Sequence, residues 1–248
     1  AKENWARQVS SRSPLPKNNL GNLMKTVAFI PARGGSKGIA NKNLLELDGL
    51  PLVAHSILQA KKSELVSDVY VSSDSKEILD VSKNFGAKVI ERPPEISGDL
   101  ATTESSILHF LENVTGIDLI VLLQPTSPLR EPSDIDNAIK MTISRKYDSL
   151  FSAVELGDMF IWHQSKKLKS VNYDHKSRKR RQDIKEEYFI ENGSIYVFTK
   201  NLIQTEKNRL GGKIGKYIMG KNKLLEIDTI EDYFLCKYYL EKKLWKKD

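Results

Sequence analysis

The pattern of apolar and polar positions changes character several times along the chain, and each change marks an element. Val27-Ala28-Phe29-Ile30 is an uninterrupted apolar run of strand length, and Leu119-Ile120-Val121-Leu122-Leu123 is another. Such runs suit strands covered on both faces, as in a parallel sheet. Val69-Tyr70-Val71, Lys88-Val89-Ile90, Leu150-Phe151-Ser152-Ala153-Val154 and Ser194-Ile195-Tyr196-Val197-Phe198 are further strand candidates. Between them the apolar period lengthens to that of a helix. Pro51 to Lys62 reads as helical, with Pro51 suited to the first turn. Ser75 to Phe85 presents Ile78, Val81 and Phe85 on one face. A helix from about Thr103 carries Ile107, Leu111 and Val114, and one opened by Pro132 turns Ile135, Ala138 and Ile139 inward. A final helix starts near Ile230, where Thr229 is a good N-cap and Asp232 completes a capping box.

Strands alternating with helices in this way predict an α/β fold, a Rossmann-like, mostly parallel sheet flanked by helices. In such sheets ligands bind outside the carboxyl ends of the strands. Two segments break the rhythm. Residues 1–23 are polar and aperiodic and read as a leader or mobile tail, leaving 24–248 as one domain. Residues 157–190 are charged, with isolated aromatics (Phe160, Trp162, Tyr173), and read as an inserted hairpin or dimerisation arm.

Composition narrows the picture. At 248 residues, with 40% hydrophobic and 29% charged positions, the chain resembles an ordinary globular protein. No apolar stretch approaches the roughly 18–20 residues of a membrane span, so no membrane association is expected. The opening residues lack the apolar core of a secretory signal. The single cysteine, Cys236, cannot pair internally and points to a reducing, cytoplasmic setting. A net charge of +7 raises the question of nucleic acid. The excess lies in Lys2 to Lys17, Lys166 to Lys185 and the tail ending Lys246-Lys247, without a nucleic-acid-binding motif, so no nucleic-acid partner is expected. Anionic small substrates account for the bias equally well.

The richest chemistry follows the first strand, in Ile30-Pro31-Ala32-Arg33-Gly34-Gly35-Ser36-Lys37-Gly38-Ile39. Glycines let backbone N–H groups turn towards an anion. Arg33 can grip a phosphate through two parallel hydrogen bonds, and Lys37 adds a mobile point charge. At the carboxyl end of a strand this stretch can cradle a triphosphate. Its spacing matches neither a Walker A loop nor a Rossmann G-x-G-x-x-G.

The stretch IPARGGSKGIANKN resembles the opening signature of the CMP-N-acylneuraminate (sialic acid) cytidylyltransferases. Four more stretches resemble that family's motifs, in the same order: Ser72-Ser73-Asp74; Arg92-Pro93-Pro94-Glu95 with Asp99; Leu122-Leu123-Gln124-Pro125-Thr126-Ser127-Pro128-Leu129-Arg130; and Asn192-Gly193-Ser194-Ile195-Tyr196. The resemblance runs from Met24 to the final helix and implies a fold of the nucleotide-diphospho-sugar transferase type. It also implies a homodimer and transfer of CMP from CTP to a nine-carbon sugar acid. Ala32, Arg33, Gly34, Gly35, Ser36 and Lys37 then hold the triphosphate, and Asn43, Arg92 and Thr103 (often serine in the family) contact the nucleotide. Gln124, Arg181 and Gln182 face the sugar. Glu226-Ile227-Asp228 stands where the family has a metal-binding acidic pair. In a strand, residues two apart share a face, so both carboxylates can reach one cation. Hard oxygen ligands suit Mg²⁺, with Mn²⁺ able to substitute. Lys37, Arg33 and Asp228 are the expected catalytic set. His55 and His109 fall on predicted helices and read as structural, and no general base stands out.

On the acceptor side the pattern departs. Gly157 to Trp162 places aromatics where sialic-acid-specific enzymes carry a lysine. Ile190-Glu191 stands where an arginine precedes the Asn-Gly pair. A related acid, such as legionaminic or pseudaminic acid, is therefore an alternative acceptor. A 3-deoxy-octulosonate cytidylyltransferase is a more distant reading, since that family lacks the GGSKG run. An inactive nucleotide-binding module is a third, and the intact Arg33, Lys37 and Asp228 speak against it.

Overall fold

The computed structural model describes residues 24–35 and 38–244. Ser36, Lys37, the segment 1–23 and Lys246-Lys247 therefore lie outside the described residues. The first strand, β1, is Thr26–Pro31. A short hairpin follows, β2 (Glu46–Leu47) and β3 (Leu50–Pro51), and leads directly into α1, Leu52–Lys62. Pro51 is thus the residue before that helix rather than part of it. Next come β4 (Asp68–Ser73), α2 (Lys76–Asn84), β5 (Lys88–Glu91), α3 (Thr103–Asn113), β6 (Leu119–Leu123), α4 (Pro132–Arg145) and β7 (Ser149–Glu155). A small hairpin, β8 (Trp162–Gln164) with β9 (Leu168–Ser170), lies in the segment read as an arm. The long strand β10 (Phe189–Thr199), α5 (Lys200–Glu206), β11 (Ile214–Ile218) and α6 (Ile230–Glu241) complete the order.

The seven-stranded sheet runs β11-β7-β10-β6-β1-β4-β5. Strand β10 pairs antiparallel with both β6 and β7, and every other pairing in this sheet is parallel. The sheet is mostly parallel and flanked by helices, as the alternating pattern implies. Alternation along each strand sorts the core into two faces. Ala28, Ile30, Val121 and Val197 meet Val53 and Ile57 of α1 and Ile135, Ala138 and Ile139 of α4. Val27, Phe29, Leu122 and Phe198 meet Ile107 and Phe110 of α3 and Leu202 and Ile203 of α5. The rings of Phe29 and Phe110 lie 4.8 Å apart. Each fully buried side chain of this size contributes about 1.5–3 kcal/mol. Burial on both faces is why these strands read as continuous apolar runs.

Helix starts follow the capping chemistry. Ser75, Thr102 and Thr199 each accept a backbone N–H of the following turn, and Thr229 with Asp232 forms the expected capping box. A third cluster, Leu47, Leu52, Leu129, Ile227 and Cys236, anchors α6 and the residues before it over the β2–β3 hairpin. The Cys236 thiol is pushed up to about 12, chiefly by burial and then by Asp232. Alkylation by iodoacetamide at pH 8 is accordingly expected only after unfolding in urea. Rapid modification of the folded protein would show that the α6 contact opens.

Candidate active site

The carboxyl ends of β1, β5 and β6 open into one cleft of about 410 Å³. Sheet pairing continues one residue past β1, as the Ala32 N–H donates to Ser72 O at 2.9 Å. Ala32 is fully buried, so it anchors the loop and delivers Arg33 to the cleft wall. Asn43, also buried, donates its side-chain amide to Arg33 O at 2.9 Å and so fixes the loop's carbonyl. The Gly34 N–H donates to Asp74 Oδ1 at 2.8 Å. Gly38 passes so close to the chain before α6 that a Cβ there would collide with the Asp228 carbonyl. Only glycine allows the two ends of the chain to meet at this point.

Arg92 forms the opposite wall. Its Nε donates to Ser72 Oγ at 3.1 Å and its Nη2 to Ser72 O at 2.7 Å. Burial lowers its pKa, and Asp74 partly offsets the effect. Thr103 opens α3, and both it and Ser106 line the cleft, so the positive end of that helix faces the same space. Gln124 ends β6 and lines the cleft with Pro125 and Thr126.

Of the residues singled out in the sequence, Arg33, Asn43, Arg92, Thr103, Gln124 and Asp228 share this cleft. Gly34 and Gly35 sit in the loop beside it. Gln182 stands elsewhere, exposed in a short turn (Arg181–Asp183) of the arm that also holds Arg181.

The acidic pair requires a correction. Glu226-Ile227-Asp228 is an extended loop, not a strand, pinned by the buried Ile227 and its N–H bond to Thr126 O at 2.8 Å. The two carboxylates have different surroundings. Asp228 is largely exposed and its Oδ1 accepts from Lys42 Nζ at 2.7 Å. Glu226 is folded back, and its Oε1 accepts from Ser127 Oγ at 3.4 Å. Its pKa is raised, first by burial and then by the charge of Asp228. A carboxylate raised by a neighbouring negative charge is relieved by a cation, and Mg²⁺ needs only one or two carboxylates when phosphates and water complete its shell. Among the described residues no three His, Cys, Asp or Glu side chains converge as a metal cluster. The donor set fits a phosphate-sharing Mg²⁺ rather than an all-protein cage.

Three side chains stand in the motifs quoted from the sequence, but their contacts escaped sequence reasoning. Lys42 was visible as a lysine beside Asn43, but nothing in the sequence shows its approach to Asp228, 186 positions away. Asp99 reaches Arg33 Nη1 at 3.2 Å from the other side of the cleft. Arg130, 1% exposed, lies beneath the site and donates to the carbonyls of Gln124 and Ser194 and to Ser56 Oγ. Burial pushes its pKa down to about 9, so it remains a cation at neutral pH. The His55 ring bonds Leu47 O at 2.8 Å and burial lowers its pKa, consistent with a structural role.

A mostly parallel α/β sheet with a three-cation cleft (Arg33, Lys42, Arg92) at its strand ends defines an anion-binding site suited to a nucleotide. A family model described as Cytidylyltransferase matches residues 27–246, and the chain belongs to that family. It is 36% identical over 218 residues to an N-acylneuraminate cytidylyltransferase of Oncorhynchus mykiss, covering 86% of this chain and 50% of that protein. The chain thus spans about half the length of that relative. It is 29% identical over 238 residues to the post-translational flagellin modification protein B of Campylobacter coli, covering 91% of this chain and 100% of the other. Among solved structures, a CMP:2-keto-3-deoxy-manno-octonic acid synthetase complexed with CTP superposes with a TM-score of 0.68. That likeness covers 88% of this chain and 99% of the other at 19% identity, and it speaks for the fold alone.

Proposed function

We propose that the chain transfers CMP from CTP to the anomeric hydroxyl of a nonulosonic acid of the sialic-acid type, releasing pyrophosphate. The observation that carries this reading is the meeting of Arg33, Lys42, Arg92, Thr103, Gln124 and Asp228 around one cleft. The names of the N-acylneuraminate relatives supply the substrate class. Arg33, Lys42 and the N–H groups of the glycine loop grip the phosphates, with Lys37 contributing from the same loop. Arg92, Asn43 and Thr103 hold the base and ribose, and Gln124 meets the acceptor.

The hydroxyl oxygen bonds to the α-phosphorus while the bond to the bridging oxygen breaks, and its electron pair leaves with pyrophosphate. The hydroxyl proton passes to solvent. Positioning and charge neutralisation carry most of the rate, as in other phosphoryl transfers. Asp228, with Glu226 behind it, would hold Mg²⁺, which when bound neutralises the departing phosphates. Mn²⁺ would serve in its place.

The acceptor pocket favours a variant of the parent sugar. Glu191, one of the two residues at the missing arginine's place, is an exposed carboxylate that accepts from Tyr196 OH at 2.8 Å, and its neighbour Ile190 is apolar. Legionaminic or pseudaminic acid is the reading these residues favour. In a homodimer, the arm's Arg181 and Gln182 would serve the acceptor side. The partly exposed Ile161, Trp162, Leu168 and Val171 supply an apolar surface for such a homodimer. A buried, protonated Cys236 accords with a cytoplasmic setting.

The test is pyrophosphate release with CTP, Mg²⁺ and a panel of nine-carbon and eight-carbon ulosonic acids. Release with at least one nine-carbon acid is expected. Binding of CTP without release from any acid would replace the enzyme reading by that of a nucleotide-binding module.

A further inference from the structure

Groups suited to phosphate oxygens are already engaged by carboxylates here. Arg33 Nη1 meets Asp99 at 3.2 Å, the Gly34 N–H meets Asp74 at 2.8 Å, and Lys42 Nζ meets Asp228 at 2.7 Å. Asp74 follows β4 directly, and Asp228 belongs to the proposed metal pair. Asp99 is different. It sits on a turn closed by the Ala101 N–H to Gly98 O bond at 3.0 Å, whose next residue, Leu100, is 97% exposed at the lip of the cleft. Sixty-six positions separate Asp99 from Arg33, and the pair spans the cleft that both line.

We infer that Asp99 is a positioning residue that stands in for phosphate: it holds the Arg33 guanidinium across the cleft in the free protein and is exchanged for a phosphate oxygen when the triphosphate binds. The side chains of Arg33 and Asp99 are 35% and 58% exposed, so water screens their attraction and the pair separates readily. A triphosphate brings several negative charges where Asp99 brings one, and its oxygens can accept two guanidinium N–H groups where Asp99 meets Arg33 through Nη1 at 3.2 Å. Asp99 therefore lowers affinity while keeping Arg33 pre-aimed. It also disfavours anions too weakly charged to displace it.

This inference rests on the cleft being the triphosphate site, and one calorimetric experiment separates the two claims. Inorganic tripolyphosphate is titrated into the full chain as wild type, Asp99→Asn, Asp99→Glu, Arg33→Ala and Arg33→Ala/Asp99→Asn, with melting curves alongside. Asp99→Asn should bind about three- to tenfold tighter, the range accessible to one screened ion pair. Asp99→Glu should resemble the wild type, and Asp99→Asn should gain nothing once Arg33 is gone. Equal or weaker binding by Asp99→Asn overturns the inference. So does a gain that persists without Arg33, which would mark a general charge effect. Failure of the wild type to bind tripolyphosphate would instead remove the functional reading beneath it.

Discussion

Asp228→Asn should reduce turnover with CTP on the order of a hundredfold or more, with a shift in melting temperature of no more than about 2 °C. The Asp228 side chain is 67% exposed, so the substitution opens no buried cavity, and the asparagine oxygen can still accept from Lys42. Its carboxylate nevertheless meets the cleft at the point where Gly38 and Lys42 approach. The substitution keeps the shape and removes the charge that a divalent cation needs. It also weakens the hold on Lys42. Activity should therefore require far more Mg²⁺, and raising Mg²⁺ should restore only part of it. A metal titration that coincides with that of the wild type would exclude Asp228 as a ligand.

The largest effect on stability is expected at Arg130. Arg130→Ala takes the guanidinium donors from the carbonyls of Gln124 and Ser194 and from the hydroxyl of Ser56, leaving Gln124 O only its longer bonds from Ser127 N–H and Ser56 Oγ, and it removes a large side chain from packed, buried surroundings. A loss of about 3–5 kcal/mol is expected from breaking a buried charged network on one side. Lysine should rescue little, since the guanidinium fork reaches three acceptors from one plane and an ammonium cannot. Urea unfolding measures both variants. A midpoint for Arg130→Ala within experimental error of the wild type would mean that the network contributes no net stability. Because Gln124 ends β6 at the cleft, the same variant should also weaken acceptor binding in whatever fraction folds.

These residues also illustrate which parts of the molecule the sequence conveys. Strands β1 and β6 stand out because helices cover both their faces, so every position must be apolar. Strand β11 escapes notice for the opposite reason. It lies at the sheet edge, Ile214 is 50% exposed, and a glycine and a lysine interrupt the run Ile214–Ile218. The antiparallel course of β10 is equally hidden, because strand direction depends on the path of the connection out of β7 and not on residue type. Glu226-Ile227-Asp228 has the period of a strand, yet only Ile227 is held, by one backbone bond and its burial, so alternation alone misleads.

At the site, the glycine loop was readable from its own residue types, whereas Asn43, Arg92, Thr103, Gln124 and Asp228 were readable only through the family motifs in which they stand. The partnerships of Arg33 with Asp99 and of Lys42 with Asp228 were not readable. They join segments 66 and 186 positions apart, and only the folded sheet brings them together.

The proposed transfer requires the nucleotide to bind in this cleft, and a crystal structure of the chain soaked with CTP decides that most directly. The triphosphate should lie against Arg33, Lys42 and the Gly34–Gly35 backbone, with the cytosine between Arg92 and the start of α3 and Asp99 no longer bonded to Arg33. CTP found instead in the separate cavity of about 480 Å³ around Glu131, Asp134 and Lys223, with the Arg33–Asp99 pair intact, would contradict it.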